Sequence, residues 1–386
     1  MTTAVVVGAG PAGLMAADVL SAAGVAVIVV DQMPSVGRKF LMAGKSGLNL
    51  TKSEDLATFR AAFGTSASHL GIDDFGPAEV MRWAEGLGQP LFTGSTGRVF
   101  PVAMKASPLL RAWLARLTAR GVTFNTRWRW TGWEGDALQF ATPQGAQRLT
   151  PDATVLALGG ASWRKLGSDG DWTAWIDNVA PFKPANMGFR VDWSDHMAPF
   201  LGEPVKATAL HAGDTVSRGE WVITKDGIEG GGVYAVSAAV RDGATLTVDL
   251  LPDLPDHLLR ARVCKRRSKS TQTHFLKHTM KLPAVKAALY QEFTKNIALG
   301  SPDGTIRMLR HLPVRHAGPM PLDQAISTAG GLRLADPAGG MLRDHANTFA
   351  AGEMLDWEAP TGGYLITGCL ASGRAAGLAA LAHLQR

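Results

Sequence analysis

Cysteine is scarce: the 386-residue chain has two, Cys264 and Cys369, with no CxxC pair and no metal-type spacing around either. That excludes a disulfide framework and a cysteine zinc site, and makes a reducing, cytoplasmic setting the default. His274 and His278 stand four residues apart, but no third ligand accompanies them, so no metal site is expected. Hydrolase signatures are missing too: there is no GxSxG, no HExxH and no Cys-His pair in a suggestive context. A nucleoside triphosphate loop is also absent. Gly44-Lys45-Ser46 imitates the end of one, yet Lys39 occupies the position where the first glycine is required. The chain also lacks internal repeats and long linkers.

What is present is ordinary for a soluble globular protein, with 46% hydrophobic and 19% charged residues. The length suggests about two to three domains of roughly 100 to 200 residues each. Forty-four glycines are gathered into short motifs, which favours backbone-shaped binding loops over disorder. Residues 4–30 hold a single charge, Asp18, and could pass for a membrane span or signal peptide. No basic segment precedes them, and glycines and Pro11 break the run where a strand-turn-helix would put them. No membrane is therefore expected as a partner, and no other span of crossing length is expected.

The same run reads as a βαβ unit. "AVVVGAG" is a β-branched strand suited to burial on both faces, "PAGLMAADVLSAAG" a helix that Gly24 can end, and "VAVIVVD" a second strand. Gly8, Gly10 and Gly13 form GxGxxG at the turn, and Asp31 ends the second strand. Gly8 permits the tight turn, Gly10 lets backbone approach a pyrophosphate, and Gly13 allows close helix-strand packing. The anion would sit on the helix N-terminus, and Asp31 would accept hydrogen bonds from a ribose diol. An acid there argues against a 2′-phosphate. Dinucleotide binding follows, without a choice of dinucleotide.

At the far end, "NTFAAGE" is a short strand ending in Gly352-Glu353. A helix begins near Thr361-Gly362-Gly363 and runs through small residues toward Gly377. A carboxylate at a strand end, with a helix N-terminus aimed at the same region, suits a ligand that has hydroxyls and a group that becomes negative.

These stretches, with "GRKFLMAGKSGLNLT", "GRVFPVAMKAS", "LALGGASWRKLGSDGD", "AISTAGGL" and "AAGEMLDWEAPTGGY", resemble in order those of the BaiN-like, or YhiN-like, family of bacterial flavoproteins. That family is of the two-dinucleotide, glutathione-reductase structural class. The resemblance implies an α/β fold: a Rossmann-type FAD domain with a parallel sheet and β-meander, interrupted by an inserted β-rich and helical domain. It implies FAD held by Gly8, Gly10, Ala12, Gly13, Asp31, Gln32, Arg38, Lys39, Gly44, Asn49, Trp128, Gly159, Gly352, Glu353, Gly362, Gly363 and Tyr364. Arg38 and Lys39 would lie over the phosphates, Ala43 to Thr51 near the flavin ring, Trp128 beside the adenine and Glu353 on the ribityl chain. The helix after Gly363 would aim its positive end at the flavin pyrimidine. Two departures face the reaction zone: Gly47-Leu48-Asn49 replaces Arg-Cys-Asn, removing a thiol, and Leu365 replaces an asparagine.

Between the ends, "SPLLRAWLARLTARG" spaces Leu109, Leu110, Trp113, Leu114 and Leu117 as the core face of a helix, with Ser107 as cap and Pro108 in the first turn. Residues 122–160 read as a meander returning to a parallel strand, with Trp130 and Trp133 packing it. The expected division is FAD domain 1–187, inserted β-rich part 188–257, helical basic part 258–313, a return to the β-rich part over 314–330, and FAD domain again over 331–386. "GIEGGG" has no second βαβ acid, so no separate NAD(P) domain is inferred, and NAD(P)H as donor would visit the flavin transiently. From Arg260 to Asn296 ten Lys or Arg face one acid, Glu292, a local charge of +9 against +6 for the chain. That asymmetry implies a positive face, either a solvated helical surface or a grip for RNA phosphates.

Three functions stay open at this point. The first is an FAD-dependent oxidoreductase that passes hydride from flavin N5 to a conjugated C=C bond of a small molecule. The second is an RNA-modifying flavoenzyme that reduces a uracil base, and the third a non-catalytic flavin-binding module. Tyr364, Lys45 and Arg98 are the candidate proton donors, with structural roles as the alternative.

Overall fold

A computed structural model describes every residue except 1, 46, 267, 268, 296, 298–300, 335–339 and 346. Its chain divides into two compact units, residues 1–183 with 326–386, and residues 184–325.

In the first unit, β1 (Thr3–Val7), α1 (Pro11–Ala22) and β2 (Ala26–Asp31) form the βαβ unit read from the sequence. Ala4 to Val7 are all buried, as a strand covered on both faces requires. Short α2 (Arg38–Ala43) and β3 (Thr51–Lys52) follow, then β4 (Leu91–Thr93) and β5 (Arg98–Pro101). These three strands make a small antiparallel sheet in the order β3-β5-β4. Helix α3 (Ala106–Ala119) buries Leu109, Leu110, Trp113 and Leu117. Its cap is Lys105, without a side-chain hydrogen bond, so Ser107 lies inside the first turn instead of capping it. β6 (Thr123–Thr126) joins the main sheet, β7 (Arg129–Glu134), β8 (Ala137–Thr142) and β9 (Gly145–Leu149) form the meander, and β10 (Ala153–Leu156) returns. β11 (Thr348–Ala350) completes a five-stranded sheet, order β11-β10-β1-β2-β6, in which every pairing is parallel.

Helix α4 (Tyr364–Leu384) closes this unit. By length and composition it could cross a membrane, a span the sequence reading had not anticipated; half of its most apolar window is buried. The reason is its packing on α1. A Cβ on Gly373 would stand 2.2 Å from the Ala12 carbonyl oxygen, and one on Gly377 would stand 3.1 Å from the Ala16 Cα. Glycine here brings two helix backbones together. Asp18 is buried between α1 and α3, where Arg116, Arg120 and the Trp113 indole all bind its carboxylate.

The second unit has two four-stranded antiparallel sheets and helices at Asp256–Cys264, Ala284–Thr294 and Pro302–Arg310. Strand residues Phe189, Trp221 and Ile228 and helix residues Tyr290 and Phe293 share one core, so the β-rich and helical parts are a single body. Basic Lys286 is inside that body, donating to the carbonyls of Ala207 at 2.6 Å and Leu250 at 2.8 Å. It is therefore not among the segment's exposed cations, which are Arg260, Lys265, Arg266, Lys269, Lys277, Lys281 and Lys295 among the described residues. Arg267 and Asn296 of the +9 segment lie outside the described residues, as does Ser46 of the Gly-Lys-Ser loop.

Candidate flavin site

A cavity of about 720 Å³ opens in the first unit. The β1–α1 turn begins it. Gly8 has φ +104°, and a Cβ there would lie 2.2 Å from the Ala157 carbonyl oxygen. Gly13 is just as constrained, its hypothetical Cβ 1.9 Å from Gly8 O, and it serves this packing without lining the cavity. At Gly10 nothing comes within 4 Å. The cradle is therefore closed on the protein side and open on the cavity side. No side chain caps α1, so its first N–H groups and positive end face that opening. Asp31 is held by the Ala9 and Met33 N–H groups, both at 2.8 Å. Burial raises its pKa above the usual carboxylate value, partly opposed by those two hydrogen bonds.

Farther along β2 a polar latch gathers. Gln32 donates to Gly167 O at 2.9 Å and to Asp169 at 3.1 Å, and accepts from Arg129 at 3.0 Å. Arg129 also binds Asp171 at 2.6 Å, and Arg164 reaches the same carboxylate at 3.0 Å. Trp128, at the start of the meander, lines the cavity and donates its backbone N–H to Asp31 O. Gly159 lines it too, with φ +74° and its carbonyl bound by the Trp172 indole.

The C-terminal stretch completes the wall. A Cβ on Gly352 would fall 2.8 Å from Ala12 Cβ, so this residue sits against the first turn of α1. Glu353 accepts from Lys39 Nζ at 2.5 Å and from Thr328 N at 3.1 Å, and Lys39 also donates to Ser162 at 2.8 Å. Lys39, expected over phosphates, is thus committed to Glu353. Arg38 remains, with a buried Nε that has no partner. Gly362 and Gly363 line the cavity at the uncapped start of α4.

Besides Gly13, two further expected residues do not line the cavity. Gly44 is packed against α3, where a Cβ would meet Ala106 at 2.7 Å, and it does not line the cavity. Nor does Tyr364: its ring stacks on Phe59, and its hydroxyl donates to Glu54 and accepts from Lys52. Burial, and the Glu54 bond after it, push the Tyr364 pKa up. The other expected residues, Gly8, Gly10, Ala12, Asp31, Gln32, Arg38, Lys39, Asn49, Trp128, Gly159, Gly352, Glu353, Gly362 and Gly363, all line one cavity.

Sequence reasoning missed Arg129, Ser168 and Cys369. Arg129 was hidden among meander tryptophans, although the GSDGD run that supplies its acids was in view. Ser168 is 5% exposed, and its hydroxyl points at the cavity wall without a partner. Cys369 lies deep in the protein yet is open to the cavity, and burial pushes its thiol up to about 12. Among the described residues no group of three or more His, Cys, Asp or Glu is placed to hold a metal.

A family model described as "HI0933-like protein Rossmann domain" matches residues 2–379. The chain belongs to the HI0933-like family. One curated relative of this HI0933-like chain is the 3-dehydro-bile acid delta(4,6)-reductase of Clostridium scindens, 25% identical over 97% of this chain and 98% of that protein. A 3-ketosteroid delta1-dehydrogenase structure from Sterolibacterium denitrificans, in complex with 1,4-androstadiene-3,17-dione, covers 99% of this chain and 100% of its own at 13% identity, with a TM-score of 0.53. The open conformation of a flavocytochrome c3 fumarate reductase covers 100% of this chain and 79% of its own at 16% identity, with a TM-score of 0.52. Both structures establish the α/β fold of the HI0933-like chain.

Proposed function

We propose that this protein reduces a conjugated C=C bond of a small molecule. It is an FAD-dependent oxidoreductase. The observation that carries the reading is the continuity of one cavity from the open Gly10 backbone to the uncapped start of α4, with buried polar atoms of Arg38, Asn49 and Ser168 left unpartnered on the way. Buried polar groups are seldom left so unless a ligand satisfies them.

In this reading Gly10, Ala12 and the N-terminus of α1 hold the pyrophosphate, with Arg38 supplying the charge. Asp31 takes the adenosine ribose, Trp128 flanks the adenine and Glu353 orients the ribityl hydroxyls. The positive end of α4 and the Gly362-Gly363 backbone favour negative charge at the flavin pyrimidine. When bound and reduced, FAD would supply a hydride to one carbon of the conjugated bond, the other carbon taking a water proton as the π bond is lost, with a nicotinamide as the proposed source of the electrons. The chain's own task is to fix the substrate at the open end and exclude competing reactions.

The test is anaerobic. Protein reduced by NADPH or NADH is mixed with a conjugated enone, the corresponding saturated ketone, or an isolated alkene. Recovery of the oxidised flavin spectrum with the enone alone is the expected result. Reoxidation by the enone no faster than by buffer sinks the reading.

The exposed cations of the second unit favour a second reading, an RNA base as substrate gripped through its phosphates. Binding of a ribosomal RNA fragment is then expected to weaken steeply with salt. Weak binding without a salt slope removes it.

A further inference from the structure

Beyond β10, residues 159–171 form a loop along the cavity that is tied down on both edges. Ser162, fully buried, accepts from Lys39 at 2.8 Å, and Gly167 O accepts from Gln32 at 2.9 Å. Arg129 holds the Asp169 and Asp171 carboxylates, and the Trp172 indole donates to Gly159 O at 2.9 Å. Four residues of the loop have a left-handed backbone: Gly159, Trp163, Gly167 and Gly170. Glycine adopts that conformation without a steric penalty. Trp163 does so at φ 62° and ψ 51°, where the Cβ of an L-residue crowds the following carbonyl and a bulky side chain is rarely found. Of the seven non-glycine residues at positive φ among the described residues, it is the only aromatic one.

The three glycines are hemmed in by protein. A Cβ would stand 3.0 Å from Ser168 Oγ at Gly159, 2.6 Å from Met33 at Gly167 and 2.8 Å from Ala161 at Gly170. Trp163 is the reverse case: its half-buried side chain lines the cavity, and among the described residues no ring stacks on it and its indole N–H has no acceptor. Each of the other tryptophans lining the cavity, Trp128, Trp130, Trp172, Trp175 and Trp357, has an aromatic partner in the protein. Glycine would relieve the strain at 163, as it does elsewhere in the loop, yet a large ring is kept there that packs on no other ring. Strain of this kind persists only where the surroundings over-determine it, and it gathers at ligand clamps. An apolar ring left open to a cavity is unfavourable until something covers it.

The loop also fixes where that cover comes from. Ser162, the preceding residue, is joined through Lys39 to Glu353, and Gly167 sits against Met33, two residues past Asp31. We infer that Trp163 is a cofactor-contacting residue, its strained backbone holding the indole against bound FAD between the ribityl chain and the adenosine, where it slows the cofactor's departure. The inference rests on the cofactor placement proposed above and adds a residue that acts on retention of FAD and takes no part in the chemistry.

The test variant is Trp163→Asn, because asparagine tolerates a left-handed backbone better than tryptophan. Full-length wild type and variant are stripped of flavin, titrated with FAD and melted with and without it, and FAD release is timed from the reloaded proteins. The variant is expected to bind FAD about tenfold more weakly, equivalent to about 1.4 kcal/mol, with most of the loss in faster release. Its flavin-free form should melt within about 2 °C of the wild type, while the rise in melting temperature on adding FAD shrinks. Trp163→Phe, which keeps a flat ring, should hold FAD within about threefold of the wild type. A residue that merely supports the loop gives another pattern, in which the flavin-free protein itself loses stability. FAD affinity within about threefold of the wild type in Trp163→Asn, or a loss of affinity accompanied by a fall of more than about 5 °C in the flavin-free melting temperature, overturns the inference. If Trp163→Asn does not fold, Trp163→Gly decides it on the same readouts. Arg38→Met that binds FAD as tightly as the wild type would instead sink the placement of the dinucleotide, so the two failures are distinguishable.

Discussion

The two ends of the cavity are built on opposite terms. At the nucleotide end, Asp31, Gln32, Arg129, Asp169 and Asp171 satisfy one another or backbone groups, and glycines at 8 and 13 leave no room for a side chain. At the other end two exposed cations, Lys45 and Arg98, have no ion-pair partner among the described residues and stand beside exposed phenylalanine and methionine. A saturated network fixes one shape and tolerates little change, because removing one partner strands the rest in a poorly solvated place. Unpaired groups at an open rim can be altered with little structural penalty, and their cost appears only when something binds. On the proposed reading, the closed end belongs to a permanent cofactor and the open end to what comes and goes.

The largest test of that contrast is Gly8→Ala. The new methyl would meet the Ala157 carbonyl, at a φ of +104° that L-residues rarely adopt. Purified variant protein is expected to lose nearly all its flavin, measured as the ratio of visible to ultraviolet absorbance. Next comes Arg129→Met, which leaves Asp169, Asp171 and Gln32 short of a donor; FAD affinity should fall about ten- to a hundredfold, the equivalent of one lost charged hydrogen bond at about 1.5 to 3 kcal/mol. Arg98→Met, at the other end, should leave flavin content unchanged by the same measure. If it instead strips the flavin, the division between the ends fails.

The smallest effect is in pH. The Cys369 thiol is raised from its ordinary value of 9.0 to about 12 by burial. A group protonated longer in the native state than in the unfolded chain costs stability as pH climbs between those two values, and nothing below the lower one. Melting temperature should therefore decline more steeply above pH 9 in the wild type than in Cys369→Ala. Identical slopes would show that the thiol is not held neutral.

The closed end was the legible one. GxGxxG, the acid after the second strand and the Gly-Glu before the last helix each follow from backbone needs that only certain residues meet, so the letters announce the geometry. The open end depends on contacts between chain segments remote in sequence. Arg98 and Gly362 are neighbours through a sheet and a loop, which no local pattern reveals. Tyr364 shows the same limit from the other side: motif position put it at the cofactor, whereas its hydroxyl is taken up by Glu54 and Lys52. Lys286 was counted into a positive face because composition cannot distinguish a solvated lysine from one tied to two carbonyls.

The close seating of Gly352, Gly373 and Gly377 on α1 has a bearing on synthesis. The opening residues emerge from the ribosome long before the helix they must grip, and until that helix arrives their apolar flank has no cover. The residues of α4 must therefore be made before the vessel can be filled, and a polypeptide lacking them would keep its nucleotide fingerprint intact with nothing to close over it.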